Sequence, residues 1–429
     1  MTQLEMARRG DTSQEMRAAA EAEGLAAERL REGVAAGTVV LPANRNHAGL
    51  RPLAIGAGVR IKVNANIGSA AADPSPEHAL ARLRAALEAG ADTVMDLSTG
   101  GDLDEIRRLV IGESKVPVGT VPIYQAAVEA VRSSGSVATM TDDGLLGVIA
   151  KHAEDGVDFV TVHCGVTQET ANLALDGSRL TGVVSRGGAF TICWMREHGR
   201  ENPLYQRFDD LLDICREHDV TLSLGDGLRP GCLADGSDRA QIAETSVLGE
   251  LVLRAREAGV QAMVEGPGHL PLDHVAATVV LQKRLCHGAP FYVLGPIVTD
   301  VAPGYDHITS AIGGAIAGMA GADFLCYVTP AEHLGLPTEE EVGEGVMAAR
   351  LAAHAADVVR LGARARAWDD QMAAARGALD WEGQFRLALN PSRARERHEP
   401  AGAEGIAACS MCGPYCVFKL LGAPAASRK

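Results

Sequence analysis

The chain has 429 residues, 47% of them hydrophobic, and can therefore bury one large core with appendages or two smaller ones. Forty basic against 55 acidic residues give a formal net charge of −15, which argues against nucleic-acid binding, because a phosphate backbone requires a basic face. No run of eighteen apolar residues is present, and residues 1–24 lack the apolar centre of a secretion signal, so we expect a cytoplasmic protein with no membrane span.

The first predicted element is an N-terminal helix. Thr12 and Glu15 have the spacing of a capping box, and Gly24 is a residue type that commonly ends a helix. We therefore expect residues 1–55 to form a small N-terminal region that folds with the rest of the protein.

From residue 56 to residue 337, short strand-like runs alternate with Ala-rich helical stretches. Ser75, followed by Pro76, is predicted to cap the first of these helices. Such alternation indicates parallel strands covered by helices. Nine runs for eight places predict a (β/α)8 barrel with one extra or misjudged strand, and a doubly wound sheet is the alternative. The runs are 61–68, 93–100, 116–124, 159–165, 181–188, 220–227, 260–269, 291–296 and 324–333.

Reactive side chains concentrate at the carboxyl-terminal ends of these runs. In a (β/α)8 barrel those ends meet on one face, where active sites are built, whereas a doubly wound sheet would gather residues from fewer strands. Residues 338–390 then show a purely helical pattern that begins with a capping box of Thr338 and Glu341. Residues 391–405 lose apolar content and are typical of a mobile linker, which leads into a cysteine-rich tail within 391–429.

Nine cysteines divide into two groups. Three crowd together as Cys409, Cys412 and Cys416, with the spacing C-x2-C-x3-C, and no Cys or His follows them. A structural zinc site usually has a fourth ligand nearby, whereas three thiolates on a 4Fe-4S cluster leave one iron open. The pattern favours the three-ligand cluster over zinc or incidental cysteines. The others lie singly and are expected to be mostly buried small hydrophobes: Cys164, Cys193, Cys215, Cys232, Cys286 and Cys326.

Two histidines occupy equivalent places just past predicted strands. His269 and His333 could share a divalent metal, with Glu265 in the same turn as the first; hydrogen-bonded structural histidines are the alternative. His163 also lies at a strand end and is expected to contact substrate. His307 lies in a predicted loop and receives no role.

Two glycine-containing motifs, SRGG (185–188) and DGLR (226–229), are candidate anion receptors. Glycines let main-chain N–H groups approach a phosphate, and Arg186 or Arg229 can add a charge-assisted bond, so a negatively charged protein can still hold a small phosphorylated ligand. Ordinary turns are the alternative. Four other side chains could exchange protons or donate hydrogen bonds, the alternatives being solvated acids and packing tyrosines: Asp226, Glu265, Tyr124 and Tyr292.

Many strings of this chain closely resemble the phosphomethylpyrimidine synthase family, over about residues 1–420. They include NANIG, MDLSTGGDL, GTVPIYQA, VSRGG, LSLGDGLRPG, EGPGH, PFYVLGP, APGYDHIT, CYVTPAEHLGLP and CSMCG. The chain is similar to the shorter members of the family. The resemblance implies a (β/α)8 barrel with a small N-terminal region, C-terminal helices and a cluster-binding tail. It also implies a homodimer in which the tail of one subunit lies over the barrel of the other.

The reaction that the resemblance implies belongs to thiamine biosynthesis. It converts 5-aminoimidazole ribotide into 4-amino-5-hydroxymethyl-2-methylpyrimidine phosphate, with release of formate and carbon monoxide. A 4Fe-4S cluster on Cys409, Cys412 and Cys416 would cleave S-adenosylmethionine to a 5′-deoxyadenosyl radical, using an electron donor of unknown identity. Glu265 would join the cysteines in catalysis, and His269 and His333 would bind zinc. The implied substrate contacts are Asn66, Met95, Tyr124, His163, Ser185, Arg186, Gly187, Asp226, Gly227, Leu228, Arg229, Glu265 and Tyr292.

One departure and two alternatives accompany this resemblance. Many members have four residues between the second and third cysteines, where this chain has three, and short loops of either length can wrap a cluster corner. The related 5-hydroxybenzimidazole synthase of anaerobic cobalamin biosynthesis shares the barrel, cluster, metal and imidazole substrate, and motifs alone do not separate it. A catalytically silent paralogue that binds phosphorylated ligands is the third hypothesis, against which the intact cysteines and histidines argue.

Overall fold

A computed structural model describes residues 1–398 and 408–422, and the chain divides into two compact units, Met1–Ala356 and Asp357–Lys429. The first unit is built on eight parallel strands that close into a barrel because the last of these strands along the chain pairs with the first. The predicted (β/α)8 barrel is therefore confirmed, and the doubly wound sheet is wrong. The barrel strands are β3 (Lys62–Ile67), β4 (Thr93–Asp96), β5 (Val118–Thr120), β6 (Phe159–Val162), β7 (Thr221–Leu224), β8 (Ala262–Gly266), β9 (Phe291–Leu294) and β10 (Phe324–Cys326).

The predicted strand 181–188 is wrong. Residues 181–185 are irregular, and a helix starts at Arg186 with the Ser185 hydroxyl accepting a hydrogen bond from the Gly188 N–H at 3.2 Å. Because β6 pairs directly with β7, the barrel has no place for a strand between them. Each of the other eight predicted runs contains one barrel strand, and every strand is shorter than its run.

Helices cover the barrel, and several of them begin at a residue whose side chain caps the helix. Ser75 caps the first of them as predicted, and the Thr338–Glu341 capping box is also confirmed. The last helix of the series crosses the boundary between the two units. The helices are α4 (Pro76–Glu88), α5 (Leu103–Glu113), α6 (Pro122–Ser134), α7 (Asp142–Asp155), α8 (Gln168–Ala174), α9 (Arg186–His198), α10 (Pro203–Gln206), α11 (Phe208–His218), α12 (Arg239–Glu257), α13 (Leu272–Leu285), α14 (Asp306–Ala320) and α15 (Glu339–Arg360).

Aromatic rings fill the inside of the barrel. Phe324 stacks on Tyr292 with ring centroids 4.2 Å apart and meets Phe159 edge-on at 6.3 Å. Gly119 on β5 is needed here, since a Cβ at that position would lie 2.2 Å from the Phe159 ring. The barrel is thus a packed core that leaves only its ends for chemistry.

The N-terminal region consists of α1 (Gln3–Arg8), α2 (Gln14–Glu23), α3 (Ala27–Ala36) and an antiparallel pair, β1 (Val39–Val40) with β2 (Ile55–Gly56). The predicted cap at Thr12 is wrong: Ser13 caps α2 by accepting the Met16 N–H, and Glu15 instead accepts a hydrogen bond from Gln3. Gly24 ends α2 in a left-handed conformation, as expected.

The second unit contains α16 (Ala363–Gly377), α17 (Trp381–Leu387), α18 (Pro391–His398), a 3-10 turn over Gly413–Tyr415 and α19 (Val417–Leu420). Residues 391–398 were expected to be linker but form a helix, because His398 stacks on Trp381 at 4.0 Å and Arg395 pairs with Glu382 at 2.7 Å. Residues 399–405 of the predicted linker lie outside the described residues. None of the described helices is long and apolar enough to cross a membrane.

Candidate active site

The carboxyl-terminal end of the barrel carries the predicted substrate contacts of the first unit. Asn66, Met95 and Glu265 lie on strands, and the 226–229 loop follows β7. Tyr124 is in the first turn of α6 and Tyr292 lies within β9, so neither ends a strand as the sequence suggested.

Tyr292 is the centre of a hydrogen-bonded layer above the aromatic core. Its hydroxyl accepts a bond from the Asn64 amide at 2.8 Å and donates to the Met95 sulfur at 3.5 Å. Asn64 also donates to the Asn66 side chain at 2.9 Å. This layer fixes three of the predicted contacts, and Asn64, which sequence reasoning missed, connects them.

Two acids and one arginine form the charged part of the site. Arg229 donates to Asp226 at 3.0 Å, and the Thr161 hydroxyl donates to Glu265 at 3.0 Å. Burial raises the pKa of Asp226 to about 8; Arg229 opposes this rise, and the negative charge of Glu265 adds to it. Burial also raises the pKa of Glu265. The acid pair therefore holds a proton near neutral pH, as a group that donates to or accepts from a substrate requires.

His163 is enclosed by main chain. A Cβ at Gly187 would lie 2.1 Å from the His163 ring, and one at Gly225 would lie 3.0 Å from it, so both positions must stay free of side chains. The Asn202 amide donates to the His163 carbonyl at 2.9 Å and holds the loop. Burial, with the charge of Arg229, lowers the pKa of His163 to about 3, so its imidazole is neutral.

The SRGG motif forms the start of α9. The Ser185 hydroxyl is engaged in capping, and the Arg186 guanidinium lies 4.9 Å from the centroid of the Tyr124 ring. Helix N-termini present free N–H groups and a positive dipole end, both of which favour anions. This arrangement fits the expected phosphate receptor. The receptor lies at the start of a helix and not in the strand predicted over 181–188.

His269 and His333 come together, with ring centroids 5.2 Å apart. Each Nδ1 faces a carboxylate: Asp300 at 2.9 Å from His269, and Asp306 at 3.3 Å from His333. A carboxylate that accepts from Nδ1–H leaves the neutral imidazole with a free Nε2 lone pair, as in zinc-binding histidines. The two rings therefore suit half of a zinc shell, with the rest left to water or ligand. Asp300 and Asp306 were not predicted.

The cysteine triad lies in the second unit, where the chain turns back on itself. The Gly413 N–H donates to the Cys409 carbonyl at 3.0 Å, and the Tyr415 N–H donates to the Cys412 carbonyl at 2.9 Å. Main-chain N–H groups, chiefly that of Cys412, lower the pKa of the Cys409 thiol. Thiolates are the ligands of iron–sulfur clusters, so the donors suit a cluster. Within the described ranges, no three His, Cys, Asp or Glu side chains already stand together as a metal site.

One cavity of the first unit lies away from this site. It measures about 290 Å³ and is lined by residues of the N-terminal region and by Asp219, which precedes β7. That is the amino-terminal side of the barrel, where residues usually serve stability rather than catalysis. A smaller cavity of about 110 Å³ adjoins Asp226 and Glu265 and is lined by α12 and α13.

Comparisons with known proteins identify relatives of this chain. Residues 2–423 match the profile of a family described as the Radical SAM ThiC family. Curated relatives named phosphomethylpyrimidine synthase come from Moorella thermoacetica, 59% identical over 98% of both chains, and Desulforamulus reducens, 58% identical over 98% of both. Another, from Caldanaerobacter subterraneus, is 56% identical over both full lengths.

Among solved structures, a dihydropteroate synthase from Xanthomonas albilineans covers 75% of this chain and all of its own, at 15% identity and a TM-score of 0.43, which is too low to inform on function. The resemblance seen in the sequence is confirmed by the profile and by the curated relatives. This chain belongs to the Radical SAM ThiC family.

Proposed function

We propose that this chain is a radical S-adenosylmethionine lyase that converts 5-aminoimidazole ribotide into 4-amino-5-hydroxymethyl-2-methylpyrimidine phosphate for thiamine biosynthesis. One observation carries the proposal: relatives named for this synthase match the whole chain at 56–59% identity. These relatives all bear that name, which gives the 5-hydroxybenzimidazole product no support.

The family implies S-adenosylmethionine and an iron–sulfur cluster, and we assign the cluster to Cys409, Cys412 and Cys416. When bound, a reduced cluster supplies the electron that cleaves S-adenosylmethionine to the 5′-deoxyadenosyl radical. In the barrel, Asn66, Met95 and the Tyr292 layer hold the imidazole ring. The α9 N-terminus, with Gly187, holds the phosphate end.

Arg229, the two acids and His163 have separate roles toward the substrate. Arg229 keeps its charge and binds the phosphate or a ribose oxygen, and Gly227 and Leu228 form the turn that holds Arg229 in place. The Asp226–Glu265 pair holds a proton beside the substrate, and neutral His163 offers a hydrogen bond without charge. Ser185, Arg186 and Tyr124 complete the wall of the site. Fixing the substrate rigidly is what a radical rearrangement requires of its protein.

Four further assignments belong to the same proposal. His269 and His333 bind zinc, which their carboxylate-held Nδ1 atoms support. The chain acts as a homodimer, supported by an apolar outer face on α14, where Ile308, Ile312 and Met319 are each about half exposed. The electron donor is a separate protein or small reductant, and the enzyme works in the cytoplasm.

Product identification tests the proposal. Anaerobically purified, reduced protein with S-adenosylmethionine and 5-aminoimidazole ribotide should form the pyrimidine as its phosphate ester, detected by mass spectrometry. It should also rescue a bacterium that needs the pyrimidine for thiamine. Formation of 5-hydroxybenzimidazole, with no rescue, would show that the product is the benzimidazole and not the pyrimidine. If the cluster-loaded protein does not cleave S-adenosylmethionine, the chain is better explained as a silent paralogue.

A further inference from the structure

Glu244 is a buried acid that is not among the predicted substrate contacts. It hydrogen-bonds to the main chain of the 226–229 loop. It lies on α12, is 1% exposed, and its Oε2 accepts a hydrogen bond from the Leu228 N–H at 2.8 Å. The carbonyl of Leu228 accepts from Arg179 at 2.5 Å, so the peptide groups before and after the Leu228 Cα are both held. Leu228 lies between Asp226 and Arg229, and the Arg229 N–H donates to the Asp226 carbonyl at 3.1 Å. These two hydrogen bonds to the main chain of Leu228 therefore fix the turn that carries the Asp226 and Arg229 side chains.

The loops around Glu244 meet without room for side chains. A Cβ on Gly165 would lie 2.9 Å from the Glu244 Cγ, and a Cβ on Gly227 would lie 3.2 Å from its Oε1. Gly188 at the start of α9 packs against the 226–229 loop itself, since a Cβ on Gly188 would lie 2.1 Å from the Gly227 carbonyl oxygen. The loop after β6, the start of α9 and the 226–229 loop thus form one packed unit around this side chain. The glycines therefore leave no room for a side chain between Glu244 and these loops, although the cavity of about 110 Å³ also borders Glu244.

The surroundings of Glu244 favour its uncharged form. Burial raises its pKa well above the ordinary value, the charge of Asp226 adds to the rise, and the main-chain N–H groups of Leu228 and Gly227 oppose it. A neutral acid can be replaced by an amide of the same shape without loss of the accepting oxygen. Glutamine is therefore the matched substitute, and leucine of similar size removes the acceptor.

We propose that Glu244 is a positioning residue of the active site, which sets the Asp226–Arg229 loop against the substrate by accepting the Leu228 N–H. The inference rests on the proposed function for the identity of the ligand. It assigns Glu244 no contact with substrate: its effect passes through the main chain of Leu228 to Arg229 and Asp226.

The test compares Glu244→Gln and Glu244→Leu in the full-length protein, with Thr278→Val as a control. Thr278 lines the same small cavity, and its hydroxyl bonds to Ser237 at 3.2 Å rather than to the loop. Affinity for 5-aminoimidazole ribotide is measured by calorimetry without turnover, and exchange of the Leu228 amide hydrogen is followed separately. Glu244→Leu should weaken binding about ten- to hundredfold and speed amide exchange, because a buried N–H loses its partner. Glu244→Gln should stay within about threefold of the parent in both, and Thr278→Val should change neither.

Equal binding and equal exchange in Glu244→Leu and the parent would overturn the inference. If Glu244→Leu does not fold, the hydrogen-exchange rate of the Leu228 amide in the parent protein provides the test. A rate as fast as that of an exposed loop amide would show that Glu244 does not hold the Leu228 N–H. If the parent protein does not bind the ribotide, the proposed function is rejected instead. The exchange rate of the Leu228 amide would still show whether Glu244 fixes the Asp226–Arg229 loop.

Discussion

Burial sets the charge of each polar residue around the mouth of the barrel. It raises the pKa values of Asp226 and Glu265 and lowers that of His163, so the acid pair keeps a proton and the imidazole is neutral. Burial also works against the charge of Arg229, but Asp226, Tyr124 and Glu265 raise its pKa above the ordinary value. Arg229 thus remains a cation beside an acid pair that keeps one proton and a neutral His163, and its guanidinium can bind an anionic group of a ligand.

The carboxylates behind the histidine pair give a prediction at the same scale. Asp300→Asn and Asp306→Asn should each lower zinc affinity about 10- to 100-fold, because an amide no longer fixes the tautomer that frees Nε2. Zinc competition with a chromophoric chelator measures this without turnover. Asp273→Asn, an exposed acid in the first turn of α13, should leave the affinity unchanged. Parent-like affinity in both variants would show that these carboxylates do not hold metal ligands.

At the scale of elements, the barrel was predictable because each strand carries its own apolar run, and a helix follows it. The run 181–188 misled because its apolar residues line an irregular approach to α9, and only the direct pairing of β6 with β7 removes it from the sheet. The histidine pair could be predicted from equivalent positions after two strands. Glu244 could not, since an acid within a helix looks like an ordinary surface residue until α12 is packed on the barrel. Asp300 and Asp306 were hidden in the same way, in a loop and at a helix start.

The junction between the N-terminal region and α11 makes a second prediction. Asp219 ends α11 at a φ of 60° and accepts the Gln3 N–H at 2.9 Å. Burial raises its pKa to about 7; the Gln3 N–H, Arg45 and the terminal amino group oppose the rise, and Glu15 adds to it. The folded protein therefore keeps a proton that the unfolded chain releases above about pH 4, so stability falls as pH rises from about 4 to 7 and then stays level.

Asp219→Asn should remove this loss. Asn tolerates the left-handed backbone and keeps an oxygen for the Gln3 N–H, so the variant should match the parent near pH 4 and exceed it above pH 7, by roughly 1–4 kcal/mol. Urea unfolding at about pH 4.5 and about pH 8 measures the difference. Asp213→Asn, an exposed acid on the same helix, should show no such trend. A variant that loses stability as steeply as the parent over this range would refute the role of Asp219.

On the scale of the whole molecule, the chemistry is divided between two compact units. The proposed substrate contacts and the histidine pair belong to Met1–Ala356, and the three clustered cysteines belong to Asp357–Lys429. Each unit has its own packing: the barrel around its aromatic core, and the second unit around contacts such as that of Trp381 with His398. Metal loading at one site should therefore be separable from metal loading at the other.

That separation is the last prediction. Replacing Cys409, Cys412 or Cys416 by Ser should remove the iron, about four atoms per chain, and its visible absorbance, because three thiolates are the fewest that hold such a cluster here. Zinc content and affinity for 5-aminoimidazole ribotide should not change, since the barrel supplies both. His269→Ala should do the reverse, losing zinc and keeping iron, and Cys193→Ser, an exposed single cysteine on α9, should keep both. Iron retained by a variant lacking all three clustered cysteines would place the cluster on other ligands, and joint loss of both metals from either variant would mean that the two units do not load independently.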